Sequence, residues 1–226
     1  MVIPVKPKLS ATVILINRAQ KGVQVYMTKR PETMKSYPGH YVFPGGKVMD
    51  SDSYMPSENI LFDQLKPEVD IAFYVAAARE LFEEIGVLLC VDRNGLPVQP
   101  DSTWADVRKS IMEGESSFVE FINRKEVKLN IKDLHYFGHR ITSLQKPYRF
   151  NTKFFLADLP SHQEPNPTTT EIESGLWIKP KQAIQLHESG MVKMVMPTIE
   201  ALTTLFRYNG EELPMLPVIE YSKDYF

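Results

Sequence analysis

Ala76-Ala77-Ala78-Arg79-Glu80-Leu81-Phe82-Glu83-Glu84-Ile85-Gly86-Val87 is the stretch from which the rest of the chain can be read. As a helix it places Glu80, Glu83 and Glu84 at i, i+3 and i+4, so the three carboxylates share a face. Ala78, Leu81 and Ile85 fall on the other side, at the spacing of a core-facing stripe. Gly86 suits the position just past a helix end, where a left-handed backbone would strain any residue with a Cβ. Val87 to Val91 is continuously apolar and is expected to form a buried strand.

Like charges at these spacings repel by roughly 0.2–0.5 kcal/mol per pair. The pattern therefore admits two readings. One is a solvated acidic face with a single Arg79–Glu83 pair. The other is a site for a hard divalent cation, which takes oxygen ligands and works beside substrate phosphates.

Arg79-Glu80-Leu81-Phe82-Glu83-Glu84-Ile85-Gly86-Val87 resembles the second half of the Nudix box, and Phe43-Pro44-Gly45-Gly46-Lys47-Val48 resembles its opening. The interval between the halves is longer than the box allows, which marks an insertion at about residues 50–70. The box's first glutamate would fall on Ile71. Asp70 is the adjacent acid, and Asp50 and Asp52 follow the glycines, so its supporting role stays unassigned among them. Asp70 is equally well read as the helix N-cap.

Upstream, Thr28, Arg30, Gly39 and Phe43 to Gly46 fall in register with the added signature of Nudix enzymes that cleave coenzyme A. Lys35 stands where that signature has arginine and Pro31 where it has a small residue. Lysine keeps the charge but loses the bidentate fork that suits phosphate. Pro147 to Ala157 resembles a strand of a eukaryotic coenzyme A diphosphatase branch, with Asn151 in place of aspartate.

Composition sets the outer bounds. The chain has 226 residues, 43% of them hydrophobic, a net charge of −2 and one cysteine. That fits a single domain over 1–226 with insertions at about 50–70 and 100–130. Near-neutral charge argues against a nucleic-acid partner. One cysteine excludes an internal disulfide framework. The absence of a signal segment, of a membrane-length apolar run and of a peroxisomal C-terminus points to the cytoplasm.

Ala11 to Ile16 and Val23 to Met27 read as a hairpin around a polar turn from Asn17 to Gly22. Asp50 to Val69 reads as a proline-punctuated loop with a short helical turn and an apolar knot at Ile60-Leu61-Phe62. Thr103–Met112 and Ser116–Arg124 have helical spacing and are expected to form a small helical insert, with Trp104 as a packing anchor. Leu134 to Ile141 reads as a strand on which His135 and His139 share a face. Pro180 fits a first helical position, Pro197 to Tyr208 a last packed helix, and Met191, Met194 and Met196 core filler.

The resemblance implies an α/β/α sandwich with a mixed sheet, and hydrolysis of a nucleoside diphosphate derivative using Mg²⁺ or Mn²⁺. It implies metal ligation by Glu83, Glu84 and the Gly45 carbonyl, with Glu80 as a further ligand or proton acceptor and Arg79 orienting the glutamates. It implies substrate contacts from Thr28, Arg30, Lys35 and Gly46, and a late acid at Glu171 or Glu173. The expected substrate is a small nucleotide, coenzyme A or acyl-coenzyme A. ADP-ribose, NADH or a nucleotide sugar are the alternatives, and a non-catalytic nucleotide sensor is the alternative of another class. Many members dimerise, and a homodimer is left open.

Overall fold

The computed structural model describes residues 5–18, 22–62, 67–167, 169–208 and 214–217. The tip of the Asn17–Gly22 turn, residues 63–66 of the first insertion and the chain end lie outside them.

A mixed sheet organises the molecule. Its strands are β1 (Lys8–Asn17), β2 (Gln24–Lys29), β3 (His40–Val42) and β4 (Gly45–Lys47) from the first part of the chain. A two-residue strand β5 (Ile60–Leu61), the helix α1 (Ile71–Ile85) and β6 (Cys90–Val91) follow. Next come α2 (Trp104–Met112), α3 (Phe118–Lys125), β7 (Lys128–Asn130), β8 (His135–Ile141) and β9 (Phe150–Asp158). The chain continues through β10 (Ser174–Ile178), α4 (Pro180–Glu188), β11 (Lys193–Met194) and α5 (Met196–Phe206).

The main sheet runs β11-β3-β2-β1-β9-β8, with β10 on β2 and β4 on β1, while β5, β7 and β6 form a small second sheet. β1 runs parallel to β9 and antiparallel to β2 and β4. Alternation then sorts the side chains of β1. Ala11, Val13 and Leu15 face α1, and Ile14 and Ile16 face a second cluster that includes Ala201, Leu202 and Leu205 of α5. Helices thus cover both faces, and the α/β/α sandwich is the observed fold. No helix among the described residues is long and apolar enough to cross a membrane.

A divergence in the sheet positions the site. β1 and β2 pair only at Ile16–Val25 and Asn17–Gln24, and farther along β4 pairs with β1 while β3 pairs with β2. The segment containing Gly45-Gly46 fills the split beneath α1. Only glycine fits there. A Cβ on Gly45 would lie 2.4 Å from the Ala11 carbonyl, and one on Gly46 would lie 2.3 Å from Glu80 Oε1.

Several expectations change in three dimensions. Only Cys90 and Val91 of the apolar run are strand. The Gln163 side chain takes the place of a neighbouring strand at Leu88, accepting from its N–H at 2.9 Å and donating to its carbonyl at 3.0 Å. The described part of the first insertion is more regular than a loop, with 3-10 helices at Asp50–Tyr54 and Ser57–Asn59 and β5 laid parallel to β7. Within the apolar knot Ile60 is buried, whereas Phe62 is exposed.

His135 and His139 do not share a face. A bulge between Tyr136 and Gly138 gives them partners Leu156 and Lys153, which lie on opposite sides of β9. Of the three methionines only Met194 is core, because Met191, in the bend after α4, and Met196, at the start of α5, are 75% and 64% exposed. The expected helices stand: α2 and α3 form the insert, and Trp104 packs edge-on against Phe82 with ring centres 5.8 Å apart. Pro180 and Met196 open the last two helices.

Candidate active site

Asp70 caps α1, its Oδ1 accepting from Ala72 N–H at 2.9 Å, and Gly86 ends the helix in the left-handed region at φ 71°. Between these ends, one side chain gathers the surroundings. Buried Arg79 donates from Nε and Nη2 to the two oxygens of Asp52 at 2.9 and 3.0 Å, a bidentate pair in which both partners are buried. Its Nη2 also donates to the Lys47 carbonyl at 2.7 Å, and its Nη1 donates to Glu80 Oε1 at 2.9 Å and Glu83 Oε2 at 3.2 Å. All five guanidinium N–H donors are thereby used. Burial by itself would lower the Arg79 pKa, but Asp52, Glu80 and Glu83 outweigh it and the net shift is upward.

Asp52 is thus the acid that supports Arg79. Its Oδ2 also accepts from Met49 N–H at 2.8 Å, which ties the insertion to the chain leaving the glycine turn. Asp50 begins the same 3-10 helix but is exposed. Asp70 does its work at the cap.

The three box glutamates are short of solvent rather than spread in it. Burial, opposed by the Arg79 charge and reinforced by Glu83, pushes the Glu80 carboxyl up to about 7. Glu83 is raised by burial, with Arg79 again opposing. Glu84 is raised well above the usual carboxylate range, first by burial and then by the Glu80 and Glu171 charges. Arg30 and a hydrogen bond from the Gly45 backbone work against that rise.

The ladder explains the Gly45 contact. Val13 N–H donates to Pro44 O and Val48 N–H to Leu9 O, so alternation makes Thr12–Gly45 the non-hydrogen-bonded pair. The Gly45 polar groups consequently point away from β1.

The other expected residues are distributed unevenly. Arg30 reaches the neighbourhood of Glu84, and its Nε donates to the Ser36 carbonyl at 2.9 Å, knotting the loop that carries Lys35. Lys35 is exposed on that loop. Thr28 is buried in the sheet, and its hydroxyl donates to the Val42 carbonyl at 3.2 Å. Gly46 lies against the Glu80 carboxylate. Of the two late acids, Glu171 acts electrostatically on both Glu83 and Glu84, whereas Glu173 pairs with Lys29 at 2.7 Å.

Sequence reasoning missed Arg108 and Gln163. Arg108 is a buried arginine on α2 whose three nitrogens donate to carbonyls of Glu83, Glu84 and Asn166. The only signal in the chain was its place in the Trp104, Arg108, Ile111 stripe, where an apolar residue would be expected.

Among the described residues no three carboxylate, histidine or cysteine groups form a ready metal cluster, and Glu80 and Glu83 each have an oxygen on Arg79. The donors nevertheless fit a hard divalent cation. All are carboxylate or carbonyl oxygens, and the charges of Glu80, Glu83 and Glu171 raise the proton affinity of neighbouring glutamates on α1, a repulsion that a cation would relieve.

A family model described as the NUDT19 Nudix domain matches residues 57–205. The chain belongs to this Nudix family. It is 29% identical over 204 residues to "Putative nudix hydrolase 7" of Caenorhabditis elegans, covering 90% of this chain and 62% of that protein. It is 22% identical over 229 residues to "Acyl-coenzyme A diphosphatase NUDT19" of Xenopus laevis, covering 82% of this chain and 60% of that protein. The chain therefore spans about three-fifths of the length of these two Nudix relatives. Among solved structures, a NUDIX hydrolase from Alicyclobacillus acidocaldarius superposes with a TM-score of 0.79 at 27% identity, covering 88% of this chain and 91% of that one.

Proposed function

We propose that this Nudix chain, read as one domain over 1–226, hydrolyses the diphosphate of coenzyme A or an acyl-coenzyme A to 3′,5′-ADP and (acyl-)4′-phosphopantetheine. The observation that carries the hydrolytic part is the set of buried carboxylates held by Arg79 against Gly45-Gly46. The solvated-face alternative does not account for acids this short of water.

Glu83, Glu84 and the Gly45 carbonyl would hold Mg²⁺ or Mn²⁺, with Glu171 as the late acid. Such an ion supplies charge neutralisation at the diphosphate and a more acidic water. Arg79 keeps Glu80 and Glu83 at a fixed separation, and Asp52 keeps Arg79 in place. Glu80, wedged against Gly46, serves as a further ligand or accepts the proton of the attacking water. Water adds at one phosphorus, the bond to the bridging oxygen breaks, and two phosphomonoesters leave.

Support for the substrate comes from the Xenopus laevis and Homo sapiens relatives, both named acyl-coenzyme A diphosphatases, and from Arg30, whose charge acts on Glu84, with Lys35 exposed on the loop that follows it. Charge-assisted hydrogen bonds there, worth roughly 1.5–3 kcal/mol each, suit the 3′-phosphate that coenzyme A has and ADP-ribose lacks.

The test is turnover of coenzyme A, dephospho-coenzyme A, ADP-ribose and NADH with Mg²⁺, with products identified by mass spectrometry. Coenzyme A should exceed its dephospho form by about tenfold or more. Glu83→Gln should keep the fold and lower kcat on the order of 10³-fold. Equal rates on both coenzyme A forms would remove the substrate assignment. A folded Glu83→Gln variant within about tenfold of wild type would remove the hydrolytic one.

A further inference from the structure

We propose that Arg108 is a positioning residue for the acidic face of α1, fixing the last turn of the helix, and with it Glu83 and Glu84, against the connection that leads to Glu171. This role rests on the metal-dependent hydrolysis proposed for the same face.

A helix leaves its last four carbonyls without intrahelical partners. In α1 the regular i→i−4 ladder closes on Phe82 O, and the carbonyls of Glu83, Glu84 and Ile85 that follow it each have a partner from another segment. Phe82 O accepts from Gly86 N–H at 2.9 Å, and Ile85 O accepts from Asn166 N–H at 2.7 Å. Glu83 O accepts from Arg108 Nε at 2.7 Å and Glu84 O from Arg108 Nη2. The remaining nitrogen, Nη1, donates to the Asn166 carbonyl at 2.7 Å. One planar guanidinium thus clamps the two residues that bear the carboxylates to the segment just ahead of Glu171.

Simple capping does not call for this arrangement. Water would satisfy the same carbonyls without burying a charge. Arg108 is 7% exposed and its hydrogen bonds go to carbonyl oxygens rather than to a carboxylate. What a guanidinium adds is a rigid fork that holds acceptors from two segments at fixed angles. A cation at the negative end of a helix is also favourable.

The insert aims this fork. Trp104, one turn before Arg108, packs edge-on against Phe82, and Phe121 of α3 stacks on the same ring with centres 5.4 Å apart. Gly86 lies so close that a Cβ there would come within 3.2 Å of Arg108 Nη1.

The experiment uses the full chain and measures Mn²⁺ affinity by calorimetry, kcat and KM on coenzyme A, and Tm. Arg108→Met should weaken Mn²⁺ binding about 10-fold or more and lower kcat similarly, with KM changed less than about threefold. Arg108→Lys retains a cation at the helix end and should recover most of both. Leu202→Ala, a fully buried position of α5 in the cluster on the other face of the sheet, should lower Tm while leaving Mn²⁺ affinity within about twofold of wild type. If Arg108→Met fails to fold, Arg108→Lys decides, with an expected loss of about threefold in Mn²⁺ affinity that Leu202→Ala does not share. Arginine variants that lose Tm but bind Mn²⁺ and turn over as wild type would make the clamp merely structural. A wild type that neither binds Mn²⁺ nor hydrolyses any nucleoside diphosphate derivative would remove the functional reading itself.

Discussion

The acidic helix is braced from two other parts of the chain by groups of opposite charge. Residues 50–62 bring a carboxylate, Asp52, to Arg79 in the middle of the helix. The α2–α3 insert brings a guanidinium, Arg108, to the backbone carbonyls at its end. The first brace joins side chain to side chain, the second side chain to main chain. The first therefore sets where the Glu80 and Glu83 carboxylates point, because they share Arg79 with Asp52. The second sets where the last turn sits. A buried ion pair depends on both partners, whereas helix carbonyls can fall back on water. The two braces should consequently fail by different amounts.

The largest effect is expected from Asp52→Ala. It leaves a buried guanidinium short of two acceptors, a change that typically costs about 3–5 kcal/mol. For a chain of this size that lowers Tm on the order of 10 °C, measurable by calorimetry. A shift of about 1 °C or less would mean that Glu80, Glu83 and the Lys47 carbonyl hold Arg79 unaided, and the first brace would be dispensable.

Next comes the pH dependence of the metal-free protein. The Glu80 carboxyl is raised to about 7 in the folded state, and Glu83 and Glu84 are raised as well. Below about pH 4.5 folded and unfolded chains are both protonated at these groups, so they cost no stability there. As pH rises toward 7 the unfolded chain releases the proton first, so stability falls, by on the order of 3 kcal/mol for Glu80. His139, whose pKa is held down by burial and by the Lys153 and Arg140 charges, pulls the other way near neutrality. The measurement is therefore urea unfolding at pH 5 and pH 8 in chelator, comparing wild type with Glu80→Gln. The variant should lose much of the decline, and Mn²⁺ at pH 8 should restore wild-type stability. Identical pH profiles for the two proteins would show that Glu80 is not held in its protonated form.

The smallest effect belongs to Asp70→Ala, which removes the helix cap and touches neither brace. Stability should drop by about 1 kcal/mol, with turnover close to wild type. A large loss of activity at unchanged Tm would transfer the supporting role from Asp52 to Asp70.

Much of the fold was legible because local chemistry decided it. The β1–β2 hairpin follows from alternation, and α1 from its cap and glycine stop. Pro180 opens α4 because its fixed φ suits a first helical position. Asp52 was visible only as one of three acids, because nothing in local spacing says which of them a 3-10 helix will turn onto Arg79. The bulge that separates His135 from His139 is set by pairing with β9, a strand distant in sequence.

By itself, then, the chain determined the acidic helix, its start and stop, the glycine turn and the alternation of strands, since each depends on neighbours within a few residues. Tertiary structure alone decided which side chains complete the site. Asp52, Arg108 and Glu171 converge on α1 from segments that no periodicity relates to it. The same burial turned an acidic stripe that could have been solvated into carboxylates starved of water. That outcome depends on what packs around the helix, which is a property of the whole fold.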